Sequence, residues 1–514
     1  MKMPHTASEL AAFCKKKGFI YPSSEIYGGV AGLYDYGHLG TRLKRNFENL
    51  WRQYFLGLDD NYVEIETAAI MHEKVFEASG HLEKFADIVA YCKKCGFKER
   101  ADHLVEKNLK SRAEGFSVKQ LSDIIKENKL KCPHCSSGFS VFPQNMMFPV
   151  QLGSAHKEAE YADGVPARLK ANEERAQAYL RPETAQGPYV NFKLQYELQR
   201  KKMPLGLALI GRAYRNEISP RNLTLRQREF TQAELQIFFN PSRINEHKEF
   251  NLIKNYALRI QLVKDREKKA AAERTAEELV NQGWPQFYVY HLVRIQQFYL
   301  QQLQVPAEKF RFSELDEKEK AFYNKYHFDI EVEVQELGWT EVGGLHYRTD
   351  HDLAGHQQLS GERLEVLEEQ SGHKYIPHVL ELSFGVDRNV YALLDLNYEY
   401  SKERDYIILH LPARLAPFYC AVFPLVKNKP ELVLKAEEVQ ALLRKEFSCL
   451  YDESGAVGRR YARADEMGVR WCLTVDFDSL GDNAVTIRDR ETTRQERVKI
   501  AAVVKRLSEL RQSG

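Results

Sequence analysis

No uninterrupted apolar run of 18 residues occurs anywhere in the 514, so no segment reads as a membrane-spanning helix. The opening MKMPHTASEL lacks the apolar core of a signal peptide, and the chain is therefore expected to be soluble and cytoplasmic, with no membrane partner. Charge of one sign is also missing: the formal net charge is only +2, so no overall field advertises a polyanion, although a basic face can hide in such a balance. Neither G-x-x-x-x-G-K-[ST] nor G-x-G-x-x-G is present, so any nucleotide must be held by something other than those glycine-rich loops. No internal repeat or low-complexity tract is evident. Of the eight cysteines, Cys14, Cys420, Cys449 and Cys472 are scattered without a disulfide framework.

The other four fall in two pairs, Cys92-Lys-Lys-Cys95 and Cys132-Pro-His-Cys135. Two such knuckles supply the four thiolates that tetrahedral zinc needs, and cysteine usage of this kind in a reducing compartment reads as metal binding. The 36 intervening residues exceed the spacing of a compact zinc ribbon, so a set of free buried cysteines is the alternative, and His103 or His134 is a further candidate ligand. A catalytic zinc is disfavoured, because four thiolates leave no open position.

With 43% apolar and 28% charged residues, the chain has material for about three or four domains. Its most distinctive stretch is Gly211 to Phe239, GRAYRNEISPRNLTLRQREFTQAELQIFF, an arginine-dense connection between two strand-like runs. Arg212, Arg215, Arg221, Arg226 and Arg228 lie within 17 residues. Arginine's planar fork binds phosphate or carboxylate at two points, so several on one strand-loop-strand make a cradle for a polyphosphate, with Phe230 as a ring for a base. A surface hairpin whose arginines pair with Glu217 and Glu229 explains the composition equally well.

Elsewhere, His38 to Leu56 places Leu39, Leu43, Phe47, Leu50 and Tyr54 on one helical face, which alone indicates a core helix. Tyr62 to Ile70 reads as a strand, Met71 to His81 as a helix, 166–178 as a charged helix and Tyr189 to Lys201 as a helix. Glu183, in Arg-Pro-Glu-Thr, is a candidate binder of a small cation or a helix cap. Residues 241–330 read as charged and helical. Trp339 to Gly344 ends a strand with glycines that permit close approach of a ligand, or simply a turn. LELSFGVDR (380–388) reads as strand, turn and helix start. Beyond Pro412, strands and helices alternate as in a compact α/β domain.

Arg-Asn-Glu at 215–217, then Arg226 and Arg-Glu-Phe at 228–230, resembles motif 2 of class II aminoacyl-tRNA synthetases. SEIYGGVAGLYDYG (24–37), ERADHL (99–104), YLRPETAQG (179–187), RTDHDL (348–353), ELSFGVDR (381–388) and GRRYARADEMG (458–468) extend the resemblance over nearly the whole chain, and within the class it is to the dimeric, single-chain glycyl-tRNA synthetases. The resemblance implies an α+β catalytic domain with an antiparallel sheet, zinc-knuckle and helical insertions, and a C-terminal α/β anticodon-binding domain. The corresponding boundaries are 1–90 (with motif 1), 91–140 (zinc insertion), 141–240 (motif 2), 241–325 (helical insertion, touching the tRNA acceptor stem or serving as a solvated scaffold), 326–405 (motif 3) and 406–514 (anticodon binding). It further implies ATP-dependent activation of glycine and its transfer to tRNA(Gly), with Mg2+ accompanying ATP, by a homodimer formed through the motif 1 helix. His38, Leu382, Val469-Arg470 and Glu491 depart from the usual family letters.

By the same resemblance, Arg215, Glu217 and Arg388 are catalytic. Arg215, Asn216, Glu217, Leu225, Arg226, Gln227, Arg228, Phe230, Glu341, Val342, Gly385 and Arg388 surround ATP, with Glu217 and Glu341 beside magnesium. Arg100, Glu183, Phe230, Glu234, Glu381 and Ser383 fall at glycine positions. A threonyl or prolyl enzyme, which needs a zinc or an apolar wall for its side chain, and an inactive accessory paralogue are the alternatives; Arg215, Arg388 and Glu183 are all retained, against the latter.

Overall fold

The computed structural model describes residues 5–110, 113, 115–152, 178–220, 222–268, 271–321, 323–368 and 372–513. Arg221 and nearly all of the helix expected at 166–178 lie outside the described residues.

Nine strands build the central sheet: β1 (Tyr62–Glu64), β2 (Leu205–Tyr214), β3 (Glu229–Phe239), β4 (Ala257–Gln261), β5 (Ala272–Thr275), β6 (Phe310–Glu314), β7 (Tyr326–Val334), β8 (Gly338–Thr349) and β9 (His378–Gly385). Their spatial order is β5-β4-β6-β7-β8-β9-β3-β2-β1, and only β1–β2 and β4–β6 are parallel. The centre is therefore the antiparallel set β7-β8-β9-β3-β2. Register there decides the chemistry. Gln236 stands opposite Glu381, which stands opposite His346, which stands opposite His327; one step along, Glu234, Ser383, Gly344 and Asp329 align in the same way. Because side chains alternate across a strand, these polar residues share one face, while Ala233, Leu235, Ile237, Leu380, Leu382 and Phe384 share the other.

That apolar face is covered by α1 (His38–Phe55) and α5 (Val386–Asn397), which bury Leu39, Leu43, Phe47, Trp51, Phe55 and Val390 against it. Between them in sequence come α2 (Gln186–Leu198), α3 (Gln286–Gln297) and α4 (His351–Ser360). Lys44 of α1 is buried and donates to Asp387 at 2.7 Å and to Thr231 at 2.7 Å, so the first helix also fixes the start of α5.

Residues 241–325 are mixed rather than helical. In Ala257–Gln261, Leu258 and Ile260 are fully buried while Arg259 turns the other way to pair with Glu273 across β4–β5. The charge that suggested a helix is the outward half of a period of two. Likewise the expected strand at 62–70 divides into Tyr62–Glu64 and Ile70–His72, and the helix predicted from Met71 runs only from Glu73 to Ala78.

The C-terminal sheet joins β10 (Cys420–Pro424), β11 (Cys449–Tyr451), β12 (Trp471–Val475), β13 (Ala484–Asp489) and β14 (Gln495–Lys499) in the order β11-β10-β12-β13-β14. Asp465 is fully buried and accepts two bonds from Arg488 (2.9 and 3.0 Å), one from Arg404 (3.0 Å) and one from Tyr406 (2.8 Å), tying this unit to the preceding hairpin.

Candidate active site

The polar face of the central sheet floors a cavity of about 220 Å3. Glu183, Glu217, Glu234, Glu341 and Glu381 line it together with Arg215, Arg226 and Arg388. Glu183, Glu234 and Glu381 gather at one end, and the three arginines, two of them paired with Glu217 and Glu341, at the other.

The carboxylate end turns on Arg348, near the end of β8, which is fully buried. Its guanidinium donates to Asp352 (2.9 and 3.1 Å), Glu183 (3.1 Å) and Glu381 (2.9 Å) and lies 4.0 Å from the centre of the Tyr323 ring. Gln186 adds donors to Glu183 (3.1 Å) and Asp352 (2.8 Å), and Gln236 one to Glu381 (2.9 Å). Burial acts to raise Glu183, but Arg348 and His81 hold it well below the usual carboxylate range. Glu381 is raised by burial, with Arg348 offsetting only part of the effect. Among the described residues Glu234 makes no ion pair, although its charge acts on Arg181 at longer range. It accepts from Ser383 Oγ at 2.9 Å, and burial together with the charges of Glu381 and Glu183 pushes it up to about 8. Three carboxylates on one guanidinium, with Glu234 close to two of them, carry more negative charge than Arg348 balances and so favour a second, small cation.

At the other end, Arg215 is held by the Pro182 carbonyl (3.0 Å), with its guanidinium 5.2 Å from the Phe230 ring centre and 5.4 Å from that of Phe85. Arg226 pairs with Glu217 at 2.7 Å, and Arg388 pairs with Glu341 at 2.9 Å while donating to the Leu225 carbonyl at 3.1 Å. These guanidiniums converge from the β2–β3 connection and the first turn of α5 on one space, the arrangement a polyphosphate needs.

The expected site residues divide accordingly. Glu183, Arg215, Glu217, Leu225, Arg226, Gln227, Phe230, Glu234, Glu341, Glu381, Ser383, Gly385 and Arg388 line the cavity. Arg100, Asn216, Arg228 and Val342 do not. Arg100 is held by Asp102 (2.5 Å) and Asp87 (3.4 Å) and reaches the cavity only indirectly, through the 3.8 Å approach of Asp87 to Arg226. Arg228 donates to the backbone of Glu217 and Ala31, and so shapes the loop. The Val342 side chain belongs to the hydrophobic core on the opposite face, and the Asn216 backbone N–H anchors on the Met146 carbonyl. Arg348, Asp352, Gln236 and Tyr189 escaped sequence reasoning; the signal for the first two was an Arg and an Asp four apart across a strand-to-helix junction.

The sulfurs of Cys92, Cys95, Cys132 and Cys135 all lie within 4.8 Å of one another, and among the described residues no histidine joins them. Both knuckles use the same backbone pattern: Cys92 N–H to Phe97 O with Gly96 N–H to Cys92 O, and Cys132 N–H to Ser137 O with Ser136 N–H to Cys132 O. Zinc at about 2.3 Å from each thiolate sets sulfurs roughly 3.8 Å apart, so this cage fits a closed tetrahedral metal. No helix among the described residues is long and apolar enough to cross a membrane.

Two family models match the chain, the tRNA synthetase class II core domain (G, H, P, S and T) over residues 168–397 and the anticodon binding domain over 419–510. Curated proteins described as glycine–tRNA ligase are similar nearly end to end. That of Pyrococcus horikoshii is 38% identical, covering 96% of this chain and 97% of its own length. That of Clostridium beijerinckii is 35% identical, covering 98% of each. Among solved structures, a prolyl-tRNA synthetase from Cryptosporidium parvum complexed with L-proline and AMP aligns over 99% of this chain and 76% of its own, with a TM-score of 0.56 at 13% identity. A Cryptosporidium parvum Iowa II structure described as the RNA binding domain of threonyl-tRNA synthetase aligns over 97% of both, with a TM-score of 0.57 at 16% identity. At these identities the two structures speak to fold.

Proposed function

Since the chain belongs to the class II glycine–tRNA ligases, we propose that the carboxylate end of its cavity binds glycine and the arginine end binds ATP, with tRNA(Gly) as the acceptor. The observation carrying this division is the buried Arg348 with Glu183, Glu381 and Asp352 around it and Glu234, outside any ion pair among the described residues, pushed up to about 8. Glycine offers only an ammonium, a carboxylate and two Cα hydrogens. Glu183, Glu234 and Glu381 supply charge-assisted bonds to the ammonium. Ser383, locked on Glu234, closes the space where any larger amino acid carries its side chain.

In the first step the glycine carboxylate oxygen attacks the α-phosphorus of ATP and the bond to the bridging oxygen of pyrophosphate breaks. A terminal ribose hydroxyl of tRNA then attacks the glycyl carbonyl and displaces AMP. Neither step needs a side-chain nucleophile, so the protein's task is positioning and charge neutralisation. Arg215, braced by Pro182 O, neutralises the α-phosphate and orients the carboxylate; Arg226 and Arg388 take the outer phosphates, exchanging their present partners Glu217 and Glu341. Those two carboxylates are the hard oxygen donors that would hold magnesium, which supplies further neutralisation of the phosphates. Cys92, Cys95, Cys132 and Cys135 would hold a structural zinc. Ile26 and Tyr27, each 87% exposed in the turn that precedes α1 in sequence, support a homodimer through that region, and the absence of a spanning helix among the described residues is compatible with a cytoplasmic enzyme.

Glycine-dependent ATP–pyrophosphate exchange tests the division of labour. Arg388→Lys keeps charge and loses two-point geometry, so it should raise the KM for ATP and lower the rate by about tenfold or more while sparing the KM for glycine. Glu183→Gln should do the reverse. Exchanged effects would refute the assignment of the two ends.

A further inference from the structure

Arg388, which takes the outer phosphates in the proposed mechanism, follows a buried carboxylate that neither chemical step uses. Asp387, in the first turn of α5, is 2% exposed and lines the cavity. Its Oδ1 accepts from Lys44 Nζ at 2.7 Å and from the Tyr36 hydroxyl at 2.6 Å, and its Oδ2 accepts from the backbone N–H of Thr231. Lys44 reaches this carboxylate from α1, donates also to Thr231 Oγ1 at 2.7 Å, and lies 4.6 Å from the centre of the Tyr36 ring. It does not itself line the cavity.

β3 and β9 pair as far as Gln232 opposite Gly385, where β9 gives way to α5. One residue beyond, the Thr231 N–H meets the Asp387 carboxylate instead of a strand carbonyl, so a side chain prolongs the contact past the end of the ladder. The β2–β3 connection is strapped to the same helix start: the Thr224 hydroxyl donates to the Asp387 carbonyl at 3.0 Å, and Arg388 Nε to the Leu225 carbonyl at 3.1 Å. Phe230 precedes Thr231 and Arg388 follows Asp387, and both line the cavity. The ring for the base and the cation for the outer phosphates are thus each one residue from a single carboxylate–ammonium pair. A buried ion pair contributes little stability beyond what well-packed apolar side chains would, and what it adds here is a defined arrangement of α1, β3 and α5.

We propose that Lys44 and Asp387 are positioning residues for ATP: the pair sets the separation of Phe230 from Arg388, and the Tyr36 hydroxyl holds the pair in place. The inference rests on the assignment of the arginine end to ATP. A base stacked on a ring and a terminal phosphate on a guanidinium belong to one ligand, so both contacts form together only at one spacing. An error of about 1 Å in such a spacing is enough to cost on the order of 100-fold in rate. Lys44 is thereby the residue through which α1 enters the chemistry without touching substrate.

Pyrophosphate exchange by the full chain, with the ATP KM measured at saturating glycine and the glycine KM at saturating ATP, tests it. Lys44→Met keeps the stem and removes the ammonium. It should raise the ATP KM about tenfold and leave the glycine KM within about twofold, since only the ATP contacts lose their spacing. The double variant Lys44→Met, Asp387→Asn removes both charges, so no carboxylate is left stranded and the melting temperature should return towards that of the wild type while the ATP KM stays raised. A merely structural pair would behave otherwise, the ATP KM recovering with the melting temperature. Should Lys44→Met fail to fold, Tyr36→Phe removes one hydroxyl from the same carboxylate and should raise the ATP KM about threefold. An unchanged ATP KM, equal rises in both KM values, or an ATP KM restored in the double variant would each overturn the proposal. Arg388→Lys run alongside separates the two levels. If it raises the ATP KM and Lys44→Met does not, the positioning pair alone is wrong; if neither does, the ATP site itself has been misplaced.

Discussion

Replacing Glu234 by Gln removes one charge from the cavity at nearly constant volume. Without a ligand, burial and the charges of Glu381 and Glu183 push the Glu234 carboxyl up to about 8. At pH 7 it is therefore mostly protonated, and binding an ammonium requires it to ionise. That ionisation costs about 1.4 kcal/mol per pH unit below 8. The bond gained, a carboxylate to an ammonium, contributes about 1.5–3 kcal/mol. Above pH 8 the whole gain is available, so the glycine KM of Glu234→Gln should exceed that of the wild type on the order of 10- to 100-fold. The ratio should shrink by up to about tenfold per unit as pH falls, until the two enzymes converge near pH 6. Glycine binding at pH 7 should correspondingly release a proton to buffer. The sign for stability is opposite: a carboxyl raised on folding binds its proton more tightly in the native state, so the contribution is present at low pH and is lost as pH rises towards 8. The empty Glu234→Gln protein should thus melt at a higher temperature than the wild type at pH 8, and with little difference at pH 5. Glycine-dependent pyrophosphate exchange at saturating ATP from pH 6 to 8.5, supported by thermal melts, reads all of this. A KM ratio that does not vary with pH would refute the account of Glu234.

Arg348→Leu should destabilise the protein by about 3–5 kcal/mol, the effect of stranding buried carboxylates without their cation, and abolish glycine activation; an unchanged melting temperature would show that Arg348 is not the hub. If the four-cysteine cage holds a structural metal, purified protein should contain one zinc per chain, and Cys132→Ser should release it and loosen the insertion. Metal-free, fully active protein with all eight cysteines titrating as free thiols would contradict that.

How far the sequence discloses the site depends on the range of the interactions. The family-like blocks single out Glu183, Arg215, Glu234, Glu381 and Arg388 by resemblance, and all five line one cavity. The run ELQIFF reads as an apolar strand, yet Glu234 lines the cavity, Gln236 on the same face bonds Glu381, and Leu235 and Ile237 enter the core; this alternation is visible in the letters but gains meaning only from the partner strand. Arg348 could not be found that way. Asp352 four residues on is its one local mark, and its other carboxylate partners lie 165 and 33 residues away in sequence. Residues 257–275 misled because surface charge on a sheet and on a helix look alike in composition and differ only in period.

The central claim, a cavity selective for glycine because it grips an ammonium and tolerates nothing on Cα, is most directly tested by pyrophosphate exchange with each of the twenty amino acids supplied alone, for the wild type and for Ser383→Ala. The wild type should exchange with glycine only. The variant should lose a little glycine activity and gain alanine activity relative to it, since excluding one methyl from a tight site is worth about 1–3 kcal/mol. Wild-type exchange with another amino acid at a comparable rate, or a glycine-to-alanine ratio untouched by Ser383→Ala, would contradict the account.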